Sequence, residues 1–314
     1  MKPMVILTGP TAVGKTELSI GLAKKINGEI ISADSMQVYK KMNIGTAKIK
    51  REEMDGVKHY LVDELDPSEE FNVVKFQAMA HKAMEEIHAK GKIPILVGGT
   101  GFYIQALVYE VDFQKEDGDK KYRTFLEDLE KEKGKEYLHE MLLKVDPVSA
   151  EKIHPNNVKK VIRAIEFYHV NQKPISQHNE EEKKKESPYN FAYFVLNHKR
   201  EVLYHRINER VDIMMKEGLL EEVEHLVKEG YTKDLVSMQG IGYKEVFDYF
   251  EKKCSYDEMV EKIKQDTRNF AKRQLTWFRR EKEVFMLEKQ NYKTEDEILN
   301  IILEELQKRG IYEG

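Results

Sequence analysis

Val5-Ile6-Leu7-Thr8-Gly9-Pro10-Thr11-Ala12-Val13-Gly14-Lys15-Thr16 is an apolar run that passes directly into the pattern G-x-x-x-x-G-K-T. The run reads as a buried strand, and the residues after Thr16, through Ile26, read as a helix. The motif therefore sits in the strand–loop–helix context that gives it a mechanism. Its glycines let backbone N–H groups close around phosphate oxygens. The N-terminus of the following helix adds a favourable dipole. Lys15 supplies a point charge, and the Thr16 hydroxyl is a candidate ligand for Mg²⁺. The predicted phosphate site is thus Gly9, Pro10, Thr11, Ala12, Val13, Gly14, Lys15 and Thr16.

Working outward, residues 29–33 read as a second short strand and residues 59–63 as a third. Residues 73–90 carry helical periodicity. Pro94-Ile95-Leu96-Val97 is a further buried strand that ends at Gly98-Gly99. Strands alternating with helices predict an α/β fold: a P-loop nucleotide-hydrolase-like parallel sheet flanked by helices, with ligands at the carboxyl ends of the strands. The texture changes near residue 113. Residues 114–187 are charged and helical, with Pro147 and Pro155 as punctuation, and are expected to form an inserted all-helical domain. The catalytic core is then residues 1–113 and 188–314. Residues 189–196 are the expected last core strand. Helices are expected over 200–228 and 256–280. An amphipathic tail helix over 295–309 is expected simply to pack.

Composition bounds the rest. A chain of 314 residues suits a main domain plus a smaller one. It is 40% apolar and 34% charged, which fits a globular protein with a charged surface. No apolar run approaches the roughly 18 residues needed to cross a bilayer, so no membrane partner is expected. The N-terminus reaches Gly9 and Pro10 too soon for a signal peptide. The single cysteine, Cys254, excludes an intrachain disulfide and a cysteine-built zinc site, and a cytoplasmic location is expected. A net charge of −4 argues against nonspecific coating of nucleic acid but leaves room for a local basic surface.

The phosphate motif does not name its ligand. A motor or switch NTPase needs an acidic residue at the end of a second strand. The strand at residues 95–97 runs instead into Gly98-Gly99-Thr100-Gly101. A kinase of a small metabolite stays open. Asp34 directly follows the strand at residues 30–33, at the carboxyl edge of the sheet. It either holds a metal or accepts a proton there, or it caps a turn.

Several blocks together resemble the tRNA dimethylallyltransferase (tRNA isopentenyltransferase) family, in its bacterial form without a zinc finger. They are the phosphate loop, Asp34-Ser35-Met36-Gln37-Val38-Tyr39, Gly45-Thr46-Ala47-Lys48, and Gly98-Gly99-Thr100-Gly101-Phe102-Tyr103. Asn157-Val158-Lys159-Lys160-Val161-Ile162-Arg163-Ala164, Gln239-Gly240-Ile241-Gly242-Tyr243-Lys244-Glu245, and Arg268-Asn269-Phe270-Ala271-Lys272-Arg273-Gln274-Leu275-Thr276-Trp277-Phe278 complete the set. The resemblance runs in order from about residue 4 to residue 285. It implies that the phosphate loop holds the pyrophosphate of dimethylallyl pyrophosphate, with Mg²⁺, and that a flipped-out adenine enters from the other side. The acceptor it implies is N6 of the adenosine 3′ of the anticodon (position 37) in tRNAs reading codons that begin with U. By the same resemblance Asp34 is the base at N6, Thr100 lies near the reacting centre and Arg210 touches the pyrophosphate. Asp34, Ser35, Met36, Gln37, Thr100, Arg123, Lys159, Lys160, Val161, Ile162, Arg163, Gln239, Gly240, Ile241, Gly242, Tyr243 and Lys244 are the implied tRNA contacts. Lys159-Lys160 stand where many relatives carry arginines or Gln-Arg, and a lysine lacks the planar fork of an arginine. Prenyl transfer to a free adenine nucleotide is the neighbouring alternative. The protein is expected to act as a monomer.

Spacing adds three readings. Arg206 and Arg210 share a helix face, which with Glu209 and Asp212 nearby reads as a solvated charged surface. Arg273, Trp277 and Arg280 fall at i, i+4, i+7. The arginines suit RNA phosphates, while Trp277 reads as a core residue packed with Phe270 and Phe278. His59 and His154 have no partner at metal-ligand spacing and read as structural.

Overall fold

The computed structural model describes residues 1–113 and 120–314. By its internal contacts the chain forms two compact units, Met1–Val108 with Pro188–Gly314, and Tyr109–Ser187. The expected boundary at Gln114 lies outside the described residues.

The first unit opens with β1 (Lys2–Thr8), α1 (Lys15–Lys25), β2 (Gly28–Ala33), β3 (His59–Tyr60), α2 (Val73–Ala89), β4 (Ile93–Gly98) and α3 (Gly101–Val108). The second unit holds α4 (Lys120–Lys133), α5 (Lys135–Val145), α6 (Pro147–Lys152), α7 (Val158–Asn171) and α8 (Ile175–Glu182). The chain then returns to the first unit with β5 (Tyr189–Asn197), α9 (Arg200–Glu217), α10 (Leu219–Lys228), α11 (Tyr243–Phe250), α12 (Tyr256–Phe278), β6 (Val284–Glu288) and α13 (Glu295–Lys308). Among the described residues no helix is long and apolar enough to cross a membrane.

The sheet runs β3-β2-β4-β1-β5-β6, and every pairing is parallel. A strand covered on both faces can be apolar without alternation. That is why Met4, Val5, Ile6 and Leu7 are consecutive and all fully buried. The parallel register aligns the carboxyl ends of β1, β2 and β4: Thr8 pairs with Gly98, and Gly98 with Ala33. Every segment that leaves those ends therefore starts on one edge.

Four elements differ from the sequence expectation. Strand β3 is two residues, because Leu61 and Asp63 turn the backbone to φ 61° and 57°. The helix expected over 200–228 is two helices, broken at Gly218 with φ 100°. Helix α12 stops at Phe278, so Arg280 lies in the turn beyond it. Strand β6 was not expected at all. It pairs with β5 from Tyr193–Val284 to Asn197–Glu288, so β5 is not the last core strand. The tail helix α13 packs as expected, burying Ile298, Leu299, Ile302 and Leu306 within the main core.

The second unit has its own core of Leu126, Leu138, Leu142, Val161, Ile162 and Ile165. Asp146 caps α6 by accepting from the Ser149 amide at 2.9 Å, and it also accepts from the Ser176 amide and hydroxyl at 2.9 and 2.6 Å. One buried carboxylate thus ties α6 to α8, and these bonds outweigh burial and hold it below the usual aspartate range.

Candidate active site

The loop between β1 and α1 is shaped for an anion. Gly14 takes φ 93° at the start of α1, a left-handed conformation that a side chain would resist, and it frees the first helical amides to point into the loop. Lys15 folds back and donates to the carbonyls of Gly9 and Pro10, both at 2.9 Å. Burial and the neighbouring Arg210 cation bring its ammonium down to about 7, with Asp34 pulling the other way. A cation held in this condition gains most from a bound anion. Thr16 sits exposed in the first turn of α1, its hydroxyl free to meet a ligand.

Helix α9 brings further positive charge to the same loop. The Arg210 guanidinium donates to the Thr11 hydroxyl at 3.4 Å. Burial and Arg206 lower its pKa, while Asp34 raises it. Arg206 reaches the opposite side: a Cβ placed on Gly14 would lie 3.5 Å from its guanidinium and 2.9 Å from the Lys289 ammonium. The carboxylates that suggested a solvated face are engaged elsewhere. Glu209 pairs with His205, and Asp212 with Lys264. The reading of Arg206 and Arg210 as a solvated face is therefore corrected for Arg210, which is partly buried against the phosphate loop, while Arg206 stays exposed.

Asp34 caps a turn with one oxygen and adds negative charge beside the phosphate loop. Its Oδ1 accepts from the amides of Met36 and Gln37 at 2.8 and 3.2 Å and so closes the turn after β2. Its charge is felt by both Lys15 and Arg210. Thr100 follows β4, the strand beside β2, and its amide donates to the Ala33 carbonyl at 3.1 Å. Behind them lies an aromatic floor in which Tyr103 stacks on Phe76 at 4.7 Å and meets Phe71 edge-on at 5.6 Å. Burial, Tyr39 and Asp34 together push the Tyr103 hydroxyl up, so that it stays protonated.

The sequence reading passed over Gln274. From α12 its Oε1 accepts from the Thr11 amide at 2.9 Å, and its Nε2 donates to the Gly99 carbonyl at 3.0 Å. The signal was readable: the buried positions of α12 include Ala271, Gln274 and Phe278, so an amide stands on an apolar stripe. One turn on, Trp277 is half-buried, 2.2 Å from where a Cβ on Gly101 would fall, and edge-on to Phe102 at 6.2 Å. It packs on the start of α3 rather than between Phe270 and Phe278.

Known proteins give this geometry a family. The model of the IPP transferases matches residues 37–281. The chain belongs to the IPP transferase family. A tRNA dimethylallyltransferase of Lachnoclostridium phytofermentans is 58% identical over 311 residues, covering 99% of both chains. The crystal structure of a tRNA isopentenylpyrophosphate transferase from Bacillus halodurans is 43% identical, with a TM-score of 0.74, covering 99% of this chain and 98% of the other. A eukaryotic dimethylallyltransferase, captured acting on tRNA, is 30% identical with a TM-score of 0.84, covering 98% of this chain and 80% of that one. None of these relatives is a kinase.

The remaining candidates of this IPP transferase fall into four groups. Ser35, Met36 and Gln37 continue the Asp34 turn. Gln37 donates to the carbonyls of Thr46 and Ala47 at 3.3 and 3.4 Å, and the Met36 methyl lies 2.5 Å from a Cβ placed on Gly240. Two of the implied blocks thus pack on one another. Gln239 and Ile241 remain at least partly exposed, while Gly242 is the buried start of α11. Tyr243 is a support residue, 1% exposed, donating to Glu222 at 2.7 Å. The same carboxylate accepts from the amides of Asn43, Ile44 and Gly45, which fixes the segment before Thr46. Lys244 pairs with Glu245 and Asp266 at 3.4 and 3.5 Å.

In the second unit Lys159, Lys160 and Arg163 lie exposed on α7, while Val161 and Ile162 are buried in that unit's core. Arg123 offers its guanidinium to Glu166 in a two-pronged ion pair of 2.9 and 2.6 Å. Arg273 and Arg280 are exposed, with Arg273 5.8 Å from the Phe270 ring. His59 and His154 each make a local bond to the backbone. His59 Nδ1 bonds the Val57 carbonyl at 2.9 Å, and His154 Nδ1 accepts from the Asn156 amide at 3.1 Å.

Proposed function

We propose that this protein transfers the dimethylallyl group of dimethylallyl pyrophosphate to N6 of the adenosine 3′ of the anticodon (position 37) in tRNAs reading codons that begin with U, and releases pyrophosphate. The observation that carries the reading is one convergence: the Lys15 and Arg210 cations of a phosphate loop share their electrostatic environment with the Asp34 carboxylate. A leaving pyrophosphate needs the cations, and an attacking amine needs the carboxylate. Relatives acting on tRNA support the choice of acceptor.

In the transfer, the N6 lone pair forms a bond to the allylic carbon as that carbon's bond to the pyrophosphate oxygen breaks. The electron pair leaves with the pyrophosphate, and the N6 proton passes to Asp34. The N6 lone pair is delocalised into the purine ring, so the amine gains from a base. Charge growing on the leaving oxygens meets loop amides, Lys15 and Arg210, groups already in place before reaction. The site suits Mg²⁺, since this ion needs only one or two protein oxygens beside substrate phosphates and waters, and the exposed Thr16 hydroxyl offers one. When bound, Mg²⁺ adds neutralisation of the pyrophosphate. The acceptor base must leave its stack to reach Asp34.

The deciding assay incubates the protein with labelled dimethylallyl pyrophosphate, Mg²⁺ and an anticodon stem-loop bearing A at the position 3′ of the anticodon. Prenylated adenosine at that position is the expected product. No label in RNA, or label only in a free adenine nucleotide supplied as a competing acceptor, overturns the reading.

A further inference from the structure

We infer that Gln274 is a positioning residue that holds the phosphate loop and the Thr100 turn at a fixed separation through its side-chain amide. The inference rests on the transfer reading above. The amide spans two segments that the chain brings in from different strands. Its acceptor end takes the Thr11 amide at 2.9 Å, and its donor end meets the Gly99 carbonyl at 3.0 Å. The next residue is Thr100, whose own amide is bonded to the Ala33 carbonyl at 3.1 Å, directly before Asp34. One bonded path therefore links the phosphate loop, Gln274, Thr100 and the candidate base.

The joint is buried and closely fitted. Gln274 is 6% exposed, so water does not readily replace either bond. A Cβ on Gly99 would fall 2.1 Å from Nε2, so residue 99 has no room for a side chain. The amide is carried on α12, a helix of 23 residues whose capping box at Ser255 and Glu258 secures its start. The Thr11 amide, once given to Gln274, does not serve the phosphate. Its bond fixes where the crest of the loop lies.

The reaction makes that separation matter. The leaving oxygen is held by the phosphate loop, while the acceptor nitrogen is met at the Asp34–Thr100 edge. Rate depends steeply on the alignment between them. Losing the joint is expected to slow turnover more than it weakens binding, since each half keeps its own contacts.

The test compares Gln274→Leu and Gln274→Glu with the unaltered protein, across pH, in the stem-loop assay, with thermal melting to check folding. Leucine fills the volume and makes neither bond. Its kcat is expected to fall about 30–100-fold at every pH, with KM for dimethylallyl pyrophosphate within about threefold, the scale of a reacting group misplaced by about 1 Å. Glutamate keeps the bond from Thr11 but sets a carboxylate against the Gly99 carbonyl. Only its protonated form can donate there. Its kcat relative to the unaltered protein is expected to rise several-fold as pH falls from about 8 to about 6, toward the raised range of a buried carboxyl. A purely space-filling role predicts no such rise. Should the leucine variant not fold, the glutamate pH profile decides. Wild-type kcat in the leucine variant, or a glutamate ratio flat across pH, overturns the inference. Absence of prenylated adenosine with the unaltered protein instead overturns the transfer reading itself.

Discussion

Asp34 closes a turn with one oxygen and is the proposed base, and this makes a clean prediction possible. Its Oδ1 is committed to the amides of Met36 and Gln37. An asparagine keeps an oxygen for that turn and loses the base. Asp34→Asn is therefore expected to fold, to bind dimethylallyl pyrophosphate nearly as well, and to lose about 10²–10⁴-fold in single-turnover rate, the range of a general base. Unchanged single-turnover kinetics would remove Asp34 from the chemistry. Lys15 gives a second test. Its ammonium is brought to about 7 by burial and Arg210, so above that pH the free site is largely unprotonated. An incoming pyrophosphate favours the charged form and must draw a proton in. Binding is expected to weaken as pH rises through 7 and to take up protons, seen by calorimetry at pH about 8 as a heat that varies with buffer ionisation enthalpy. Lys15→Arg, which keeps its charge, is expected to lose the lysine's share of that uptake. Equal uptake in both proteins would place the titration elsewhere. These residues were legible because the G-x-x-x-x-G-K-T pattern and a carboxylate at a strand end have local signatures. For Gln274 the apolar stripe marks a buried amide but not its role, since its partners stand 263 and 175 residues away in sequence.

Elements were legible in proportion to their burial. Strands β1 and β4 are apolar runs bounded by glycine and were readable at once. Strand β6 was missed because it is short, half-exposed and flanked by charge: Arg279 to Glu283 before it and Lys289 after it. Only pairing with β5 makes it a strand. The single helix expected over 200–228 failed at Gly218, where one positive φ ends α9 and starts α10. That break matters, because it lets Glu222 on α10 hold the segment at residues 43–45 while α9 serves the phosphate loop. Helix α12 presents two different faces. Gln274 and Phe278 point inward, while Arg273 is exposed, and Arg280 is exposed in the turn that follows. If the outer arginines meet RNA phosphates, Arg273→Ala with Arg280→Ala weakens stem-loop binding and lowers the slope of log affinity against log salt by about 1.5–2 units. Affinity for dimethylallyl pyrophosphate stays the same. An unaltered salt slope would leave these arginines as a solvated face.

At the scale of the whole molecule the question is what a phosphate loop is used for when the neighbouring strand β4 ends without an acid. In the sheet, β4 lies between β1 and β2, the place from which a motor or switch protein presents its acid. Here β4 ends in Gly98-Gly99, and the Gly99 carbonyl is occupied by Gln274. The carboxylate comes one strand further out, on Asp34, with one oxygen already engaged in a turn. That arrangement offers an amine a base, but it leaves no acid at the β4 end to align water on a γ-phosphate. Weak ATP binding would decide little, because loop amides and Lys15 would grip any diphosphate. Turnover decides. Transfer to the anticodon stem-loop is expected without ATP, with pyrophosphate and prenylated adenosine released in equal amounts. It is expected to stop when EDTA removes Mg²⁺ and to fall severely in Lys15→Ala, which takes a charge from the leaving group. A strict ATP requirement, or ATP hydrolysis stimulated by tRNA with no modified adenosine, would return the phosphate loop to nucleotide chemistry and leave Asp34 without an amine to serve.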